Sequence, residues 1–581
     1  MNKVINEISN RFKVLEVSKQ TDEQFTILVE LNDLPKVVAT LYYEYGGWMS
    51  TAVANDERAI NKNFALYYVL SIEGAKQELD YAPNENYDAS KAPIEADEKF
   101  YINVKAFVDP KDKTFPSVTP LVPACVWYER EFYDMFGIVA EGLPDKRRLV
   151  LSDDFPDDIH PLLKDSIDYR FRPEPKDVDN EPEYKFIKTT GDKITAIPLG
   201  PLHITADEPG HFRLYCDGDT IVDADYRLFY QHRGMEKLAE NRLNYTQMPF
   251  LAERVCGICG FAHSIACANA AENVSGIEVP ARAQAIRVLS QEIERIHSHL
   301  LNLGLLCEVC GNVTAFMHFF RVREFSLDIA QILTGGRKTY GTIAIGGVRK
   351  DLTLSEIKKI LELLDIIETG TKEMWEVVMN DKRQINRWKN VGVLDPMVAR
   401  DFSPVGPVIR ASGFGRDVRH DHPNEFYKKL DFKMHVEESG DVLGRAKVRY
   451  HDLMNTIAMI RECIDIMPGG AIMSEQNWRI KPYSYALGFD EAPRGENVHW
   501  IMQGDMSKVY RWRCRASTYN NWSSLRYQMR GNTIADAALI VASLDPCYSC
   551  TERTTLVDIK TGKARVINEK ELKQIARGKK I

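Results

Sequence analysis

Apolar residues recur at helical spacing through residues 281–309. They do so more sharply through Leu354-Ser-Glu-Ile-Lys-Lys-Ile-Leu-Glu-Leu-Leu-Asp-Ile-Ile367, and a third such run covers 449–467. A three-to-four-residue recurrence lays one apolar stripe along a helix. Long helices in series predict a bundle, whose inward-facing side chains can build a metal site. The first part of the chain is patterned differently. Residues 4–14 have helical spacing, but 24–31 and 100–108 carry the β-branched and aromatic content of strands. Residues 123–136 predict a helix opened by Pro123. Residues 80–97 are acidic and contain Pro83 and Pro93, which predicts a loop. Residues 194–203 and 210–230 predict strands, with a turn at Asp217-Gly218.

Residues 140–193 are rich in Pro, Asp and Glu, as in Arg172-Pro-Glu-Pro-Lys-Asp-Val-Asp-Asn-Glu-Pro182. Such a stretch buries too little apolar surface to pack well and predicts a linker. The expected architecture is therefore an α+β multidomain chain. A small α/β domain occupies 1–140 and an acidic, Pro-rich linker 141–193. A mainly α-helical bundle domain with an N-terminal β-sheet spans 194–553, followed by a C-terminal extension at 554–581.

Composition narrows the function classes. Among 581 residues, 44% are apolar and 27% charged, as in an ordinary globular protein. The net charge of −8 argues against a nucleic-acid binder. The N-terminus has no apolar run suited to a signal peptide, and no stretch is long and apolar enough to span a bilayer. Any membrane role is expected to come through partner subunits. The cysteine count is 11, an odd number in a large chain, which favours reduced thiols in the cytoplasm over a disulfide framework.

Two cysteine pairs stand out. One lies in Arg254-Val-Cys-Gly-Ile-Cys-Gly-Phe-Ala-His263, the other far downstream in Asp545-Pro-Cys-Tyr-Ser-Cys-Thr-Glu-Arg553. If the pairs meet, Cys256, Cys259, Cys547 and Cys550 converge on one point. Soft thiolates select iron, nickel or zinc over magnesium or calcium. On spacing alone, a structural zinc site and a redox centre remain alternatives, although zinc sites usually bring their pairs within a few tens of residues. A third pair, Cys307 and Cys310, falls within the long predicted helix and reads as core packing. Cys125, Cys216, Cys267, Cys463 and Cys514 lack ligand-like spacing.

The predicted helix at 123–136 leads into Trp127-Tyr-Glu-Arg-Glu-Phe-Tyr-Asp-Met-Phe-Gly137, followed by Lys146-Arg-Arg-Leu149 and His160-Pro-Leu-Leu-Lys-Asp165. Its alternating charges suit a solvated face. The stretch also resembles the 30-kDa-type subunit of respiratory complex I, where this region docks neighbouring subunits. The two thiol motifs resemble the paired nickel-ligand motifs of the [NiFe]-hydrogenase large subunit. His232-Arg-Gly-Met-Glu-Lys237, Gly335-Gly-Arg337 and Glu491-Ala-Pro-Arg-Gly495 add to that match. Together they resemble the large subunit of complex-I-related, membrane-associated hydrogenases of the formate hydrogenlyase type, over nearly the whole chain.

This resemblance implies roles for particular residues. Cys256 and Cys547 would be terminal nickel ligands. Cys259 and Cys550 would bridge nickel to an iron carrying carbon monoxide and cyanide. Dihydrogen would be split or formed heterolytically, with Cys547 accepting the proton. Arg494 would hang over the iron with its fork of donors toward cyanide. His263 would donate an N–H to a bridging sulfur. Glu208 lies near the family's proton-gating glutamate, one position out of register because of Pro209. Glu236 matches a glutamate that in relatives holds a structural magnesium or iron, but Arg553 replaces the histidine those relatives place at the mature C-terminus. Residues 554–581, with eight Lys/Arg against three Asp/Glu, would be a precursor extension clipped after Arg553 by a maturation endopeptidase.

The resemblance further implies an iron–sulfur small subunit, a ferredoxin-like electron carrier, complex-I-like membrane subunits and a formate dehydrogenase as partners. It places the chain on the inner face of the cell membrane, with no iron–sulfur cluster of its own. Two other readings stand beside it: a complex-I-type subunit forming a quinone site, whose relatives lack the four thiols, and a scaffold with structural zinc.

Overall fold

The computed structural model describes residues 2–73, 99–168, 170, 173–174, 184–191, 193–201, 208–475 and 481–552. The predicted loop at 80–97, Arg553 and the extension at 554–581 lie outside these residues, as do 169, 171–172, 175–183 and 192 of the expected linker. The rest of that stretch departs from the linker reading: Leu143, Leu149, Val150, Leu151 and Leu162 are buried in the main apolar core.

The N-terminal part is one five-stranded sheet backed by helices. Helix α1 (Lys3–Arg11) is capped by the Asn2 side chain and leads into β1 (Val14–Thr21) and β2 (Gln24–Val29). Helix α2 (Leu34–Tyr43), β3 (Trp48–Glu57), β4 (Asn63–Ile72), β5 (Phe100–Val108) and α3 (Val126–Phe136) follow. The strand order is β1-β2-β5-β4-β3, with β2 and β5 parallel and the other neighbours antiparallel. All ten residues of β3 are buried. A strand covered on both faces shows no apolar–polar alternation, which is why its sequence carries no strand pattern.

The charges of α3 are not on a solvated face. Glu129, Arg130, Glu131 and Asp134 are buried, and each is engaged by hydrogen bonds within the fold. Glu129 accepts from Tyr68, Thr119 and the Val118 amide. Asp134 gathers the amides of Leu149, Val150 and Leu151. Arg130 donates to the carbonyls of Arg147 and Arg148. Glu131 takes the Tyr519 hydroxyl at 2.7 Å and pairs with Arg513. Of these, only Glu131 reaches across to the later part of the chain, while the others are satisfied within the first part, as buried charges must be.

The second part opens with a three-stranded antiparallel sheet of β6 (Ile194–Leu199), β7 (His211–Asp217) and β8 (Thr220–Arg227), in the order β8-β7-β6. Then come α4 (Met235–Arg242), α5 (Gly260–Ser275), α6 (Ala281–Val309), α7 (Val313–Thr334), α8 (Leu354–Asn380) and α9 (Val442–Asp465). The last element group is a meander of β9 (Tyr485–Ala492), β10 (Gly495–Gln503) and β11 (Val509–Arg515), then α10 (Tyr548–Glu552). The mixed α and β architecture agrees with expectation; the β9–β11 sheet is an addition to it. Residues 354–367 cover only the first half of α8, which runs on to Asn380.

The two parts are fused through a common core. One apolar cluster runs from Val4 and Tyr42 through Trp127 to Leu214, Trp522 and Tyr548. A second packs Val53, Ala65, Tyr67 and Val69 against Leu487, Val498 and Trp500. The outer face of the first sheet thereby covers the β9–β11 sheet. Among the described residues, no helix is long and apolar enough to cross a membrane.

Candidate metal centre

The two thiol motifs meet. Cys256 Sγ lies 3.3 Å from Cys547 Sγ, and Cys259 Sγ lies 3.1 Å from Cys550 Sγ, although 291 positions separate the members of each pair. All four are buried, and no disulfide forms among the described cysteines. The separations exceed the ~2.05 Å of a disulfide. Each Cys-x-x-Cys turn also aims amides at its own first sulfur. Ile258 N and Cys259 N lie 3.2 and 3.4 Å from Cys256 Sγ, and Cys550 N lies 3.4 Å from Cys547 Sγ.

Close approach of backbones makes this convergence possible. Cys259 caps α5, which begins at Gly260. A Cβ at Gly260 would lie 2.6 Å from the Thr339 carbonyl oxygen and the Tyr340 ring, so only glycine fits. A Cβ at Gly210 would likewise lie 2.5 Å from the Tyr548 ring. That glycine lets the segment bearing Glu208 approach the second pair. Tyr340 pins the first pair by donating to the Cys256 carbonyl at 3.1 Å.

Four buried sulfurs this close cannot all be anionic without a cation among them. Hydrogen bonds from the Cys259, Cys547 and Cys550 thiols push Cys256 well below the ordinary thiol value. Their proximity to the Cys256 thiolate, together with burial, pushes the other three well above it. The donor set therefore fits a bound soft metal cation, which would neutralise the thiolates together.

Arg494 is buried beside the cluster. Burial works against its charge, but Asp545 and the sulfurs of Cys547, Cys259 and Cys256 hold it protonated. Its Nε donates to the Asp545 carbonyl at 2.7 Å, Nη2 to Asp545 Oδ1 at 2.8 Å, and Nη1 to Ser298 Oγ at 3.3 Å. The sequence motif pointed to Arg494 but gave no sign of Ser298 or of the part played by Asp545. Asp545 adopts φ of 55°, which turns both its carbonyl and its carboxylate toward one guanidinium.

Glu208 reaches the same place from the segment before β7. One carboxylate oxygen accepts the Tyr548 and Ser549 amides at 2.7 and 3.1 Å, and the other accepts the Ser549 hydroxyl. Glu208 is thereby held on the two residues that separate Cys547 from Cys550. Burial raises its pKa, and the charge on Cys256 adds to the rise.

His263 Nε2 lies 3.4 Å from Cys550 Sγ rather than at Cys259, its neighbour in sequence. Burial keeps its pKa down at about 4. Its other nitrogen faces His499 Nε2 at 3.1 Å. His499 and Cys514, which have no signal in the sequence, complete a second buried group there. Glu294 is also new. It accepts the Phe261 and Ala262 amides at 2.7 and 2.9 Å and so anchors the start of α5 against α6.

Glu236, the expected ligand of a second metal, is committed elsewhere. Arg511 Nη1 lies 2.8 Å from one oxygen and Arg513 Nη1 3.6 Å from the other. Two guanidiniums occupy the surroundings in which a divalent cation would need open carboxylate, so the residues do not fit that metal. Arg553, the expected processing residue, falls outside the described residues.

The comparisons with known proteins agree with this geometry. Family models match over three stretches: "Respiratory-chain NADH dehydrogenase, 30 Kd subunit" at 27–170, "Nickel-dependent hydrogenase" at 233–309, and "Respiratory-chain NADH dehydrogenase, 49 Kd subunit" at 310–486 and 476–553. Formate hydrogenlyase subunit 5 of Escherichia coli is 50% identical, over 97% of this chain and 94% of that protein. Hydrogenase-4 component G of the same organism is 49% identical over the same shares. The carbon monoxide-induced hydrogenase of Rhodospirillum rubrum is 37% identical over 61% of this chain and 99% of its own length. The chain belongs to the [NiFe]-hydrogenase large subunits of the formate hydrogenlyase type, in which complex-I 30-kDa-like and 49-kDa-like regions are fused.

Proposed function

We propose that the chain is the catalytic large subunit of a hydrogenase that evolves or oxidises H2 within a formate-hydrogenlyase-like complex. The observation that carries this reading is the convergence of four sulfurs beside one buried guanidinium and one enclosed carboxylate. Cys256, Cys259, Cys547 and Cys550 would hold the centre through their thiolates, Cys256 and Cys547 as the terminal ligands and Cys259 and Cys550 as the bridging ones implied by the family resemblance. When bound, a nickel–iron centre with carbon monoxide and cyanide on iron supplies the site at which dihydrogen is cleaved or formed.

The chain's own residues do the rest. As a ligand outside the bridging pair, Cys547 would keep a free lone pair on Sγ and would take up the proton there. Glu208, held on the amides of Tyr548 and Ser549, is the next proton carrier. Burial raises its pKa above the ordinary carboxylate value, which suits a group that holds and passes on a proton. Arg494, fixed by Asp545, holds positive charge over the site without needing to reorganise, the general basis of electrostatic stabilisation. Burial excludes water from the four sulfurs and from Arg494.

Electrons arrive through an iron–sulfur small subunit fed by a ferredoxin-like protein. Complex-I-like membrane subunits hold the assembly at the inner face of the membrane. A maturation endopeptidase removes the residues after Arg553. The test is hydrogen evolution by the assembled complex carrying Cys547→Ser. Loss of evolution with the N-terminal domain still folded supports the reading; undiminished evolution refutes the ligand assignment.

A further inference from the structure

Three buried side chains behind Cys550 form a hydrogen-bonded line with a defined direction. Trp512 Nε1 lies 3.2 Å from His499 Nδ1. His499 Nε2 lies 3.1 Å from His263 Nδ1, and His263 Nε2 lies 3.4 Å from Cys550 Sγ. His263, His499 and Trp512 are fully or almost fully buried. A neutral imidazole has one donor and one acceptor nitrogen, and which is which follows from its partners.

The indole settles the question. Its nitrogen only donates, so His499 Nδ1 accepts and the His499 proton is on Nε2. That N–H meets His263 Nδ1, which must accept, so the His263 proton is on Nε2 and points at Cys550 sulfur. The reverse order would set an indole N–H against an imidazole N–H at 3.2 Å. Cys514 Sγ, 3.4 Å from His499 Nε2 and 3.7 Å from His263 Nδ1, can share the same N–H without changing its direction.

We infer that Trp512 and His499 are positioning residues that lock the tautomer of His263, so that Cys550 permanently receives an imidazole N–H. What this does to the metal centre rests on the reading proposed above. A donor on a bridging thiolate withdraws electron density from the metals. It also occupies a lone pair of Cys550. Groups that hydrogen-bond to metal ligands commonly change activity or metal affinity by about 10–100-fold when removed.

The experiment uses the full-length chain in its complex, with 15N-labelled histidine and with infrared spectra of the metal-loaded protein. The expected wild-type result is His263 as the Nε2–H tautomer. Trp512→Phe removes the indole donor and should mix the tautomers of His499 and His263. It should also move the iron carbonyl band to lower wavenumber, because more density returns to iron. His499→Leu should do the same, whereas His499→Gln, whose amide can donate to His263 Nδ1, should restore both signals. If Trp512→Phe does not fold, the His499→Leu and His499→Gln pair decides. Unchanged His263 nitrogen shifts in His499→Leu would overturn the lock, and so would an additional metal equivalent that Cys514→Ala abolishes. The nitrogen spectrum needs no nickel, so a failed metal reading would leave the lock intact and be recognised separately.

Discussion

Asp545 grips Arg494 twice, once through its backbone carbonyl at 2.7 Å and once through its carboxylate at 2.8 Å. Asp545 is two residues before Cys547, so the contact ties the guanidinium to the ligand loop itself. Removing one partner of a buried ion pair costs about 3–5 kcal/mol, because the other charge is left uncompensated. Asp545→Ala should therefore lower the thermal unfolding midpoint clearly and reduce nickel retention. A melting curve that overlays the wild type would show that the pair does not hold the site.

Arg494→Lys keeps the charge but loses the planar fork. Its single ammonium nitrogen replaces three separate guanidinium nitrogens that reach the Asp545 carbonyl, the Asp545 carboxylate and Ser298. Losing one preorganised donor of this kind typically costs about 10²–10³ in rate. Hydrogen turnover should fall by that order while metal content stays at wild-type level; full activity in the lysine variant would exclude a role for the fork.

Glu208→Gln preserves the acceptor for the Tyr548 amide but cannot carry a proton. Turnover should drop about 10²–10⁴-fold, the usual contribution of a positioned acid–base group. H/D exchange at the metals, followed as HD formation from H2 in D2O, should slow in parallel. Equal rates of HD formation in wild type and variant would remove Glu208 from the proton path.

His422 titrates at the seam between the two fused parts. Its Nε2 lies 2.8 Å from Ser71 Oγ, and its ring packs against Tyr101 and Phe489. Burial depresses its pKa to about 3. The unfolded chain, with an ordinary histidine value near 6.5, therefore binds more protons than the native one between those values. Stability is complete above about pH 6.5 and declines as pH falls toward 3, by about 1.4 kcal/mol per unit from this group. His422→Gln should flatten that acid limb in denaturant titrations from pH 7 to pH 4. A limb as steep as in wild type would assign the loss to other groups.

The shared core predicts that the fused parts unfold together. Trp500 stacks on Tyr485 and lies against Tyr67 of the first sheet, with ring centroids 5.2 and 5.0 Å apart. Trp500→Ala should cost about 3–5 kcal/mol and lower one calorimetric transition. Two separated transitions, with only the later part of the chain affected, would contradict a common core.

What the sequence revealed followed its local patterns. The long helices were legible because their apolar stripes repeat over many turns, and residues 281–309 coincide with α6. The thiol pairs were legible because Cys-x-x-Cys is a short-range motif, and so was Arg494 between Pro493 and Gly495. Strands β3 and β10 were hidden because they are buried on both faces, which erases the alternation that marks a strand. The charges of α3 looked solvated because their partners are set by the fold and not by local spacing, most of all for Glu131, whose partners Arg513 and Tyr519 lie hundreds of positions away. His499, Cys514 and Ser298 had no signal, since each enters the site from a strand or helix whose pattern concerns packing. Glu236 matched its motif, yet Arg511 and Arg513 changed its chemistry from across the fold.

All of the proposed chemistry requires that the cage formed by Cys256, Cys259, Cys547 and Cys550 hold nickel together with iron. Metal quantitation of the purified complex, combined with its infrared spectrum, tests this most directly, provided iron from the small subunit is measured separately. The expected result is one nickel per chain, with carbon monoxide and cyanide stretching bands, both lost together in Cys259→Ser. Zinc in place of nickel, with no such bands in complex matured with nickel present, would contradict it.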